Sequence, residues 1–291
     1  KLEEKNQILE QQKEQILRQQ KMAEAMANQL HEADIKKIKF LTNISHEFRT
    51  PLSLIFSPLE KSLREYKHID KDKLHERLKL MFRNTMRLLR LINEFLDISK
   101  IEEGLLKMSV GKGSIHDFIL GIIESYRYLA EQKNIRFRFE SEMEHVNCFF
   151  DADKIDKILN NLLSNAFKYT PSEGEIIVRL KAFSKDENNE VNCFQMSVED
   201  TGTGIEEEFK HKIFERFYQI DTNKEQASGT GIGLALTRAL IFIYGGEVTL
   251  ESEPGKGSKF IVVLPCSSKH FKANEIKKDL INSYHKSSEN Y

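Results

Sequence analysis

His46 is one of nine histidines in the 291-residue chain, and its setting suits nucleophilic chemistry. It lies two residues from both Ile44 and Phe48, so on a helix of about 3.6 residues per turn it points away from the apolar stripe and into water. Its helical neighbours Asn43, Arg49 and Thr50 are polar, which makes that face a reactive patch rather than a packing surface. Pro51 removes a backbone donor and frees the carbonyl of Glu47, so the helix is expected to kink beside the histidine. A neutral imidazole is a competent nucleophile near its unperturbed pKa of about 6.5. Taken alone, however, an exposed histidine more often carries no chemistry, and the case has to be completed elsewhere in the chain.

A second set of residues suits phosphate. Asn161, Asn165 and Lys168 fall at helical steps of four and three, Tyr169 completes the turn, and Ile155, Leu159, Leu162 and Ala166 supply the buried face. The amide oxygens of Asn161 and Asn165 can ligate a magnesium ion whose other ligands are phosphate oxygens and water, and Lys168 can neutralise phosphate charge. An asparagine pair by itself serves equally well as a cap or a solvated face. Asp200-Thr-Gly202-Thr-Gly204 directly follows a strand; its glycines permit a tight turn and close approach of a flat base, and the Asp200 carboxylate can accept from an adenine amino group. In isolation an ordinary turn is the better reading of that motif. Gly229-Thr-Gly231-Ile-Gly233-Leu234 opens a helix, where backbone N–H groups and the helix dipole can hold a phosphate. The dinucleotide fingerprint is excluded because its third glycine comes one residue later, and Gly255-Lys256-Gly257 lacks the spacing of a P-loop. The polar segment between the glycine boxes, with Phe214 and Phe217 three residues apart, reads as a lid.

These groups need elements to position them. Residues 1–34 contain no Gly or Pro and repeat Leu2, Leu9, Ile16, Ala23 and Leu30 every seven residues, the spacing of a coiled coil. Its companion seam is mostly polar (Lys5, Gln12, Gln19), so the coil is weak without neighbours. Within residues 35–103 a second stripe (Leu41, Ile44, Phe48, Leu52, Ile55, Leu59) and a third (Leu74, Leu78, Met81, Leu88, Ile92, Phe95) flank the polar stretch 64–73. That predicts an antiparallel helical hairpin which buries too little alone and completes a four-helix bundle by dimerisation. The eleven-residue step from Leu30 to Leu41 is a stutter in the heptads, a junction through which twist could pass. Over residues 104–265 the pattern becomes α/β, with strands at 135–140, 147–150, 175–183, 191–199, 247–253 and 259–264 and helices at about 114–131, 152–168 and 231–243. The polar, Lys-rich tail 266–291 reads as a short helix or a linker.

Composition narrows the function classes. Lys and Arg total 44 against 45 Asp and Glu, a net charge of -1, so the long basic surface that nucleic-acid binding requires is absent. Cys148, Cys193 and Cys266 show neither zinc-site spacing nor a disulfide framework, which fits a reducing compartment. No apolar run approaches the roughly 18 residues that span a bilayer. The sequence starts at Lys1 in the middle of a helical pattern, as a piece of a longer protein would.

Ser45-His-Glu-Phe-Arg-Thr-Pro-Leu52 resembles the phospho-acceptor box of two-component sensor histidine kinases. NLLSNAFKYT (Asn161 to Thr170), DTGTG, FERFYQ and GTGIGL resemble the asparagine, first glycine, phenylalanine and second glycine boxes of the same family, in the same order. The resemblance covers about residues 35–265 and implies a dimeric phosphotransfer hairpin followed by a two-layer α/β sandwich of the Bergerat ATP-binding type. It implies ATP and Mg2+ as cofactors, contacts to nucleotide from the asparagine, glycine and phenylalanine boxes, and autophosphorylation of His46. Glu47 would orient His46 and accept its proton, and Thr50 matches the position with which relatives place water in a phosphatase reaction. Ser258 stands where many relatives have Thr beside the nucleotide. The partners implied are a second copy of the chain and a response-regulator receiver domain, and the location is the cytoplasmic part of a membrane-anchored bacterial sensor.

Two other readings compete with that one. ATP-hydrolysing machines of the same superfamily usually carry a glutamate base where Asn161 stands, and they have no place for the histidine box. A catalytically dead dimeric scaffold would not need Asn165, Asp200 and the glycines of the second box intact.

Overall fold

The structure is a computed structural model that describes residues 2–144, 146–185, 191–220 and 231–280. Its contacts divide the chain into two compact units, Lys1–Leu91 and Ile92–Tyr291, and the division falls inside a helix.

The first unit is built from α1 (Leu2–Glu65) and the first part of α2 (Lys71–Glu102). α1 runs unbroken through the stutter and through Pro51 and Pro58. The two helices meet at a short turn where His68 and Ile69 donate to the Glu65 carbonyl and Arg77 bonds the Glu65 carboxylate at 2.7 Å. The predicted stripes are not the buried seam as a whole: of their residues only Ile44 is buried, and on α2 the buried positions up to the end of this unit are Asn84 and Leu91, while predicted Leu78 and Ile92 are exposed. Ile44, Pro51, Asn84 and Leu91 are buried inside the hairpin, whereas Leu41, Leu52, Leu59, Leu78 and Phe82 stay exposed. Exposed apolar residues at this density mark this face as a candidate interaction surface.

The second unit buries its own core. A five-stranded sheet has the order β2 (Arg136–Ser141), β4 (Glu175–Lys185), β5 (Val191–Asp200), β7 (Gly257–Pro265), β6 (Glu247–Glu253). β2 and β4 run parallel; the remaining pairs are antiparallel. Alternate strand residues Val178, Leu180, Phe194, Met196, Val198, Val262 and Leu264 face α3 (Ile115–Lys133), α4 (Ala152–Tyr169) and α5 (Gly233–Ile243), which answer with Ile119, Ile122, Ile155, Leu159, Leu162 and Leu240. Each such side chain, fully buried, contributes about 1.5–3 kcal/mol. α4 is fixed at both ends. Asp151 caps its N-terminus, is almost completely buried and bonds the Lys154 ammonium at 2.7 Å, while Lys133 reaches the Phe167 carbonyl at its C-terminus.

The tail departs from the sequence reading. A short 3-10 turn (Ser268–His270) leads to a strand, β8 (Ile276–Leu280), parallel to β1 (Val110–Ser114), and β3 (Asn147–Phe150) pairs with β1 on its other side. The expected helix or linker is corrected because β1 leaves an open edge, and Val110 donates to the Glu275 carbonyl at 2.8 Å. Neither β1, broken by two glycines, nor the charged Ile276–Leu280 segment alternates, so pattern alone could not find them. Residues 281–291 lie outside the described part. No helix among the described residues is long and apolar enough to cross a membrane.

Candidate functional site

α4 organises the site in the second unit. Its apolar face is anchored in the core, and this leaves Asn161, Asn165, Lys168 and Tyr169 along the opposite edge. Asn161 donates to the Gly233 carbonyl at 3.2 Å and lies 3.4 Å from the Thr237 hydroxyl, so its side chain ties α4 to the first turn of α5. Its Oδ1 makes no hydrogen bond among the described residues. Asn165 is partly exposed, and its side chain makes no hydrogen bond among the described residues. Lys168 folds over Tyr169, with its ammonium 3.0 Å from the hydroxyl and 4.7 Å from the ring centre.

Asp200 ends β5 opposite Ser258 of β7 and is only 7% exposed. Its Oδ1 accepts from Gly202 N–H at 2.8 Å. Burial pushes the carboxyl up to about 6; the backbone donors of Gly202 and Ser258 oppose that rise, and neighbouring Glu199 adds to it. A side chain at Gly202 would strike Asp200 Oδ1 and the Tyr169 carbonyl, both 2.7 Å from its would-be Cβ, so this turn passes directly over the end of α4. Gly204, at φ +67°, lies against Glu253, whose carbonyl is 1.9 Å from a would-be Cβ.

The second glycine box completes the wall. α5 starts at Gly233 with no side-chain cap among the described residues, and a helix start of this kind suits an anion. Gly231 accepts from Phe217 N–H at 2.8 Å, and Phe217 itself takes a left-handed φ of 62°. Leu234 is partly exposed on that first turn. Phe214 goes elsewhere. It is buried against Phe260, under the Arg238 guanidinium, and is a core residue of the segment between the glycine boxes. Gly229 and the rest of the predicted lid from 221 to 230 lie outside the described residues. Ser258 is buried, its hydroxyl 3.0 Å from that of Ser252.

Two contributors were missed in the sequence. Gly257, at φ +101°, lets β7 pass against Asp200, whose carbonyl lies 1.8 Å from a would-be Cβ. Its signal was its place beside Ser258, hidden because Gly255–Gly257 was weighed only as a P-loop. Thr237, fully buried, is the second partner of the Asn161 amide.

The residues fit nucleoside triphosphate. A buried carboxylate beside a glycine-only turn suits an adenine amino group, and uncapped N–H groups suit phosphate. Asn165 and Asn161 Oδ1 offer neutral oxygen ligands of the kind that complete a magnesium–phosphate complex. No cluster of three or more His, Cys, Asp or Glu occurs among the described residues, so a metal there would draw on the phosphates for its charge.

His46 belongs to the first unit, exposed on α1. The Thr50 hydroxyl donates to the His46 carbonyl at 3.4 Å. Glu47, partly buried, lies 3.9 Å from Arg87 on α2; burial raises its carboxyl, and Arg87 and His46 pull it back down.

Comparison with known proteins agrees with this division. Residues 36–104 match the family described as "His Kinase A (phospho-acceptor) domain", and residues 150–268 match "Histidine kinase-, DNA gyrase B-, and HSP90-like ATPase". Histidine kinase P4 of Formosa agariphila is 34% identical over 252 residues, 85% of this chain and 18% of that protein. Sensor protein SrrB of Staphylococcus aureus is 33% identical over 241 residues, 82% of this chain and 40% of that protein. The chain thus spans well under half the length of these relatives. The full-length structure of ShkA in complex with AMPPNP superposes with a TM-score of 0.58 at 25% identity, over 79% of this chain and 46% of that one. The matches take in both the helix that carries His46 and the sheet that carries Asp200, and the chain therefore belongs to the sensor histidine kinases.

Proposed function

We propose that the chain binds Mg-ATP on the α4 edge and phosphorylates its own His46, then passes the phosphoryl group to an aspartate of a response regulator. The observation that carries this reading is the convergence of Asn161, Asn165, Asp200, Gly202 and Gly233 around α4 in a chain whose His46 stands exposed on a helix. Asp200 accepts from the adenine amino group, the first turn of α5 receives phosphate oxygens, and Lys168 leaves the Tyr169 ring to meet phosphate charge. Asn165 and Asn161, together with the phosphates, would hold magnesium, which would supply charge neutralisation for the leaving diphosphate. An imidazole nitrogen of His46 attacks the γ-phosphorus in line; the nitrogen–phosphorus bond forms, the bond to the β,γ-bridging oxygen breaks and ADP leaves. The proton on the other ring nitrogen passes to Glu47.

The exposed apolar face of the hairpin supports a homodimer whose four helices close a bundle. Thr50, one turn from His46, supports a secondary phosphatase activity toward the regulator. A cytoplasmic position beneath a membrane-anchored sensor segment belongs to the same proposal.

Incubation with γ-labelled Mg-ATP tests the reading. The label is expected to be acid-labile and alkali-stable, and to be lost in His46→Ala and Asn165→Ala. Label that persists in His46→Ala would overturn it.

A further inference from the structure

Glu47 directly follows His46 on α1 and comes within ion-pair reach of Arg87 on α2. Its side chain is 28% exposed, and burial raises its carboxyl above the ordinary range. Among the charged groups on the two packed helices, His46 on α1 and Arg87 on α2 are those that face it. Arg87 is itself 31% exposed and places its guanidinium 3.9 Å from Glu47 Oε2, and among the described residues it has no other carboxylate within ion-pair reach. The other polar groups nearby are committed elsewhere. Buried Asn84, one turn before Arg87, donates to the Leu80 carbonyl at 2.8 Å, and Thr50 donates to the His46 carbonyl.

We propose that Arg87 is a positioning residue for autophosphorylation: from α2 it holds the Glu47 carboxylate ionised and aimed beside His46. An arginine suits this role because its guanidinium stays charged at every relevant pH and offers a rigid fork of donors. Two consequences follow from the geometry. Glu47 and Arg87 lie on opposite helices of the hairpin, so a shift of α2 against α1 changes their separation and with it the strength of the base. The ion pair also opposes the burial that favours a protonated Glu47, so its loss moves the working pH of the reaction upward.

The inference rests on Glu47 as the proton acceptor, and the test separates the two claims. Autophosphorylation rates of the dimeric chain are measured against pH for the native protein, Arg87→Met, Arg87→Lys and Glu47→Gln, with ATP affinity measured by direct titration. Arg87→Met is expected to lower the rate about tenfold near neutral pH, to shift the ascending limb of the profile toward alkaline pH and to leave ATP affinity unchanged. Arg87→Lys, which keeps a cation but not the fork, is expected to recover most of the rate and most of the shift. A carboxyl titration of Glu47 followed by NMR should move upward in Arg87→Met. If Glu47→Gln loses activity while the Arg87→Met profile keeps its native position, Arg87 has no such role. If Glu47→Gln keeps full activity, the proton-acceptor assignment falls and takes the proposal with it.

Discussion

The two units solve the problem of burial in opposite ways. The ATP-binding unit stacks three helices on a five-stranded sheet and closes a core in which Phe150, Phe167, Phe194, Ile155 and Val262 lose nearly all contact with water. The hairpin buries Ile44 and Leu91 but leaves Leu41, Leu52, Leu59 and Phe82 from 44% to 57% exposed. The first encloses an apolar core; the second leaves an apolar face exposed, which supports the proposed dimer. A nucleotide site profits from a rigid frame, because buried Asp200 and the glycine turns around it must be held in place before ATP arrives. On the proposed function, a phosphoryl acceptor that meets both ATP and a regulator would profit from an exposed histidine, and His46 is exposed.

The sharpest way to break the comparison is to attack the open face of the hairpin. Leu52→Glu with Leu59→Glu is expected to convert dimer to monomer in sedimentation and to reduce autophosphorylation more than a hundredfold. ATP affinity should stay at the native value because the frame of the other unit is untouched. Dimerisation that survives these charges would mean that the exposed stripe serves another purpose.

The next effect should fall on the nucleotide frame. Gly204→Ala places a methyl group 1.9 Å from the Glu253 carbonyl at a φ of +67°, which the loop can relieve only by moving. A loss of about 2–4 kcal/mol in thermal unfolding and loss of ATP binding are expected, with the dimer intact.

Asp200 gives an effect of opposite sign. Its carboxyl sits near 6 in the folded chain against an ordinary 3.8. Below the ordinary value both folded and unfolded chains are protonated and nothing is lost. As pH rises toward 6 the unfolded chain ionises first, so folding loses stability on the order of 3 kcal/mol, and above 6 the loss is constant. Asp200→Asn should therefore raise the melting temperature of the nucleotide-free protein at pH 8 and leave it unchanged near pH 3.5, while it abolishes the shift that ATP produces. A carboxylate that costs stability where it sits fits the adenine contact proposed for Asp200.

The smallest effect concerns the helix the units share. The last turns of α2 group with the ATP-binding unit, where Asp97 meets Lys157 of α4 at 2.8 Å and Glu102 pairs with Arg216. Partly exposed pairs of this kind contribute about 0.5–1 kcal/mol. Lys157→Met should lower stability by that amount and speed amide exchange in the last turns of α2; unchanged exchange there would remove the pair as a coupling element.

Much of this was legible in the sequence, for identifiable reasons. Long amphipathic runs and strands that alternate cleanly announced α1, α2, α4, β4 and β5, and the exposed face of His46 followed from its two-residue offset from Ile44 and Phe48. Where a contact depends on a distant partner the sequence was silent. β8 exists because β1 offers an edge, Asn161 is held by Thr237 from another helix, and Arg87 meets Glu47 across the hairpin. Phe214 had the right spacing for a lid residue, yet Phe260 and Arg238 draw it into the core.

The central claim is that ATP bound on the α4 edge ends as phosphate on His46. Peptide mapping at alkaline pH after reaction with Mg-ATP tests it most directly. A single phosphorylated peptide that spans Ser45–Leu52, with the phosphoryl group on His46 and absent from the Asn165→Ala protein, is the predicted result. A phosphoryl group on any other residue, or one that forms equally well without Asn165, would contradict the account.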